Sequence, residues 1–62
     1  MKEVLSFLLE HKKYLKPSQI RLVNVGLEKL NMDRGLSRYE IGEFCKMKVI
    51  IDFKLSPPSN YG

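Results

Sequence analysis

A single cysteine, Cys45, in a chain of 62 residues is the strongest constraint on what this sequence can become. Without a second thiol there is no internal disulfide, and a chain this short buries only about 60% of the surface its unfolded form exposes. The core therefore has to come from apolar side chains gathered by their own periodicity. One histidine and one cysteine cannot supply the four ligands of a usual zinc site, so neither metal nor cofactor is expected. The lone thiol suits a reducing compartment, and the expected location is cytoplasmic, for a cellular protein or the product of a virus or plasmid.

Three segments carry a helical period. Over residues 2–16, Val4, Leu5, Leu8, Leu9 and Leu15 fall on one stripe, with Phe7 and Tyr14 at its margins. Lys12, Lys13 and Lys16 complement the end of that helix, and Pro17 stops it. A second helix is expected over residues 18–31, with Ser18 as N-cap and a seam of Ile20, Val23, Leu27 and Leu30, widened by Leu22 and Val25. Partial alternation at Ile20, Leu22 and Val25 offers a strand instead, but fourteen residues is long for a strand. Gly26 lowers the helix propensity by about 1 kcal/mol and suggests close approach of another helix.

Residues 31–35 read as a loop, with Asn31 and Gly35 suited to left-handed backbone. Ser37 and Glu40 then form a capping box, and Leu36 and Ile41 the matching hydrophobic staple. The third helix starts there and is expected to bury Ile41, Phe44 and Cys45, with Tyr39 covering one edge.

From Met47 the period becomes two. Met47, Val49, Ile51, Phe53 and Leu55 are apolar, and Lys48, Asp52 and Lys54 lie between them. That pattern predicts a half-buried strand with no partner of similar quality in the chain. It pairs with a short stretch elsewhere, adds to another molecule's sheet, or is really a fourth helix. The expected fold class is mainly α: a three-helix bundle with a C-terminal β-strand or extended segment. Residues 1–55 would form one small domain and residues 56–62 a flexible, proline-containing tail.

Nothing in the chain points to catalysis. The Cys45–His11 combination pairs a core cysteine with a surface histidine, Glu40 is engaged in the capping box, and the four glycines are scattered. The longest purely apolar runs, Phe7-Leu8-Leu9 and Val49-Ile50-Ile51, are too short to span a membrane. Glu3, Ser6 and Glu10 also break up any secretory signal.

Eleven Lys and Arg against seven Asp and Glu give a net charge of +4, which permits contact with nucleic acid or an acidic protein. The cluster Lys12, Lys13, Tyr14 and Lys16, together with Arg38, Lys46 and Lys48, supplies the nucleic-acid candidates, with Tyr14 able to stack on a base. The competing reading of the cluster is a solvated helix end. A helix-turn-helix over residues 37–55 would place Gly42 at the helix crossing and residues 49–55 as recognition helix. It meets two objections: Lys46 stands at the turn, and Val, Ile, Phe and Leu cannot read base edges.

The stretch Gly35-Leu36-Ser37-Arg38-Tyr39-Glu40-Ile41-Gly42-Glu43-Phe44-Cys45-Lys46-Met47 resembles the closing motif of the small stalk subunits of archaeal and eukaryotic RNA polymerases. Upstream, Glu3-Val4-Leu5 through Leu9-Glu10-His11-Lys12-Lys13 is similar to their early helix, so the resemblance spans about residues 2–47 with a shortened middle. It departs from that family after Met47, where an Asn and a Pro usually follow. The resemblance implies a helical fold related to the helicase-and-RNase-D C-terminal domain, and a docking role in transcription without catalytic residues.

The combined expectation is a non-catalytic interaction module binding a component of the transcription machinery, as a subunit or a viral or plasmid modulator. Its contact residues would be Met47, Val49, Ile51, Phe53 and Leu55, used for a protein partner or a homodimer. The alternative is a small DNA-binding regulator using residues 37–55. By conformation, a solvent-facing helix over residues 47–55 favours DNA and a strand favours protein docking.

Overall fold

Leu5 and Leu8, one helical turn apart, disappear completely from solvent in the computed structural model, which describes residues 1–56. They lie on α1 (Lys2–Glu10), which packs on both α2 (Pro17–Asn31) and α3 (Arg38–Leu55). Val23 of α2 and Phe44, Met47 and Ile51 of α3 complete the buried core, and Val4, Phe7, Leu9, Leu15, Leu22, Leu27, Leu30 and Leu36 pack around it. This is the expected three-helix bundle.

Each helix boundary has a local cause. α1 is shorter than its apolar stripe suggests, because the chain turns at His11 and continues as a 3-10 turn over Lys12–Tyr14. The His11 ring closes that turn, its Nδ1 lying 2.8 Å from the Phe7 carbonyl oxygen. Lys16 is extended, as the residue before a proline should be, and caps α2 in place of Ser18. Pro17 occupies the first helical position, where its missing N–H costs nothing, and the Gln19 side chain accepts from the Lys16 N–H at 2.8 Å.

The end of α2 also differs from expectation. Asn31 is still helical, and the left-handed residue is Asp33, at φ 61°. The Asp33 N–H donates to the Leu30 carbonyl at 3.0 Å and the Arg34 N–H to the Lys29 carbonyl at 2.8 Å, the two bonds of a Schellman motif. The capping box of α3 forms as the sequence predicts. Ser37 Oγ accepts from the Glu40 N–H at 3.1 Å, and Glu40 Oε1 accepts from the Ser37 N–H at 2.8 Å.

The strand expected over residues 47–55 is not there. Those residues continue α3 to Leu55, and among the described residues there is no strand. The alternation misled because successive odd positions on a helix lie about 160° apart around its axis. Met47 and Ile51 therefore point inward, while Val49 and Phe53 point out. With one unbroken helix from Arg38, there is also no turn at Lys46 for a helix-turn-helix. Of the tail expected over residues 56–62, Ser56 belongs to the helix end, its hydroxyl donating to the Asp52 carbonyl at 2.9 Å. The rest lies outside the described residues.

Candidate functional site

α3 is a helix with two apolar faces. Its inner ridge, Glu40, Phe44, Met47 and Ile51, steps by four, three and four residues and is buried throughout. Its outer ridge, Tyr39, Gly42, Lys46, Val49 and Phe53, steps by three and four and faces solvent. Phe53 is 82% exposed, Val49 66% and the adjoining Ile50 52%. Cys45 is exposed beside them. Scattered exposed apolar residues are ordinary, but here Val49, Ile50 and Phe53 lie next to one another on one helix.

The surface has relief. Cys45, Lys46, Val49 and Ile50 line an open apolar depression of about 340 Å³. Gly42 adds open space one turn earlier, since a Cβ there would meet nothing within 4 Å. Past Ile50 a second cleft of about 240 Å³ runs between α3 and the start of α2, lined by Tyr14, Leu15, Lys16, Gln19, Met47 and Ile51. Ile50 belongs to both, so the outer stripe and the cleft meet.

Of the five expected contact residues, Val49, Phe53 and Leu55 are exposed, whereas Met47 and Ile51 are core. Cys45 and Tyr39, expected in or over the core, are both on the outside, and Ile41 is 39% exposed. Ile50 and Gly42 were missed as surface residues. A second three-and-four repeat, half a turn from the first, finds Gly42, and Ile50 flanks it one position after Val49; both are visible only once residues 47–55 are read as helix.

The nucleic-acid candidates do not form one patch. Lys12, Lys13 and Tyr14 lie on the 3-10 turn, with Lys13 Nζ 5.4 Å from the Tyr14 ring centre. Lys16 caps α2, and Arg38 opens α3. Lys46 and Lys48, two residues apart on one helix, project about 160° away from each other. Lys46 bonds Glu43 at 3.2 Å, and Lys48 bonds Asp52 at 2.7 Å while lying 5.0 Å from the Phe7 ring centre.

The polar interior is small and satisfied. Glu40, 6% exposed, holds Lys29 Nζ at 2.8 Å and the Ser37 N–H at the same distance. The Lys29 hydrogen bond, followed by the Ser37 N–H, holds its carboxyl below the usual range against the opposing effect of burial. Among the described residues no buried side-chain polar atom lacks a partner, and no three His, Cys, Asp or Glu gather as a metal site. His11 is taken up by Phe7, its ring 4.4 Å from the Phe7 ring, and no hydrogen bond joins it to Cys45. No helix among them is long and apolar enough to cross a membrane. Compared with known proteins, the chain matches no family model, no curated protein and no solved structure.

Proposed function

We propose that this protein is a non-catalytic interaction module that docks onto protein through the outer face of α3. The observation that carries this reading is the apolar stripe of Val49 and Phe53, facing away from the core, with Ile50 on its flank. Keeping those side chains in water is unfavourable by about 25 cal/mol for each Å² of apolar surface, and a partner that covers them recovers that energy. The resemblance to polymerase stalk subunits over residues 2–47 makes a transcription complex the first place to look.

DNA binding is the second reading, favoured by the helical, solvent-facing conformation of residues 47–55. Against it, the side chains presented are Val, Ile and Phe, which cannot hydrogen-bond to base edges, and the lysines of α3 point in different directions.

Capture from host lysate at two salt concentrations, with and without nuclease, separates the two. Protein docking predicts capture that survives nuclease and higher salt and is lost in Val49→Asp. Capture that needs nucleic acid and fades steeply with salt, undisturbed by Val49→Asp, would replace it with the DNA reading.

A further inference from the structure

We infer that the outer face of α3 takes a second copy of this chain, the two α3 helices running antiparallel about a two-fold axis near Val49. This rests on reading that face as a docking surface and names its occupant. Side-chain size sets the direction. Beyond Tyr39 the stripe is small at Gly42 and Cys45 and becomes bulky at Phe53. Antiparallel pairing about Val49 brings Phe53 of one copy opposite Cys45 of the other, because each lies four residues from the axis. Phe53 then enters the depression lined by Cys45, Lys46, Val49 and Ile50, beside the open space at Gly42. The same contact recurs on the other side of the axis, as a two-fold interface requires.

Parallel pairing fits worse. It would set Phe53 against Phe53 and Gly42 against Gly42, crowding one end and leaving a void at the other. Charge selects the same direction. Glu43 and Lys54 lie eleven residues apart, three turns, and so on one edge of the stripe. Antiparallel helices match like edges, which brings Glu43 of each copy beside Lys54 of the other. Lys46 lies within the ridge, but its ammonium already reaches that edge, 3.2 Å from Glu43, so Glu43 would be shared between Lys46 of its own chain and Lys54 of the other.

The test uses the purified full chain alone, so it can fail while capture of another protein stands, and the reverse. Sedimentation across the micromolar range is expected to show a reversible dimer. Phe53→Asp should raise its dissociation constant at least about tenfold with the helical circular dichroism unchanged. Direction is read with a second variant, Asp52→Cys, because residues 45 and 52 lie on one edge at heights that meet only in the antiparallel pair. Mild oxidation should then give a dimer linked from Cys45 to the new thiol at position 52. Within one chain those positions are about 10 Å apart along the helix and cannot bond. A strictly monomeric wild type, a dimer indifferent to Phe53→Asp, or cross-links joining position 45 to 45 or 52 to 52 would each overturn the inference.

Discussion

Lys29 on α2 and Glu40 on α3 meet at 2.8 Å, and that contact ties the cap of one helix to the last turn of another. The Glu40 carboxylate also accepts from the Ser37 N–H, so one side chain closes the capping box and the α2–α3 junction together. Its folded pKa lies below the ordinary 4.5. The folded state therefore binds this proton less readily than the unfolded chain does. The stability this provides is present above about pH 4.5 and is lost as pH falls through the lower folded value. Urea midpoints measured from neutral to acid pH should show that loss. Lys29→Met should be less stable at neutral pH and lose less on acidification.

Ser37→Ala removes the oxygen that receives the Glu40 N–H and should lower stability by about 1 kcal/mol. Equilibrium denaturation gives the value. An unchanged midpoint would mean that the Glu40 N–H finds water instead.

Gly26 sits under the Phe44 ring, and a Cβ there would lie 2.8 Å from Phe44 Cζ and 3.3 Å from Leu5 Cδ1. Gly26→Ala gains about 1 kcal/mol of helix propensity but forces a fully buried ring to move, a cost of about 1–3 kcal/mol. The net should be a loss of about 1 kcal/mol, with Gly26→Val worse. Thermal unfolding of the two variants decides the sign.

Asp33 holds a left-handed φ of 61° at the end of α2, where its charge also faces the negative end of the helix dipole. Asp33→Gly relieves both and should raise stability by about 0.5–1 kcal/mol, read from the denaturation midpoint.

The inner half of this architecture was legible from local chemistry. Ser37 and Glu40 announced the start of α3, Leu5, Leu8 and Val23 declared their buried faces by spacing, and Gly26 signalled a close crossing. Residues 47–55 were not legible in the same way. Five apolar residues at every second position satisfy a strand with one buried face, and they equally satisfy a helix with two apolar faces. What selects the helix is continuity with the capped turn at Ser37 and burial of Met47 and Ile51 beside Phe44, contacts that no period within the segment records. The exposed apolar face of α3 was therefore legible only in part. Val49, Phe53 and Leu55 were named as contact residues, Met47 and Ile51 were assigned to the wrong side, and Ile50 went unnoticed.

A helix greasy on both sides poses an orientation problem during folding. Turned by half a revolution, α3 would offer Val49 and Phe53 to α1 and α2 at little hydrophobic disadvantage. Lys46 lies within that outer ridge, and the turned state would press its ammonium into the core. The same turn would carry Glu40 away from Lys29 and remove Phe44 from the hollow over Gly26. A charge, an ion pair and a missing methyl group thus act as a key that admits α3 in one rotational setting, where oiliness alone would leave two competing bundles.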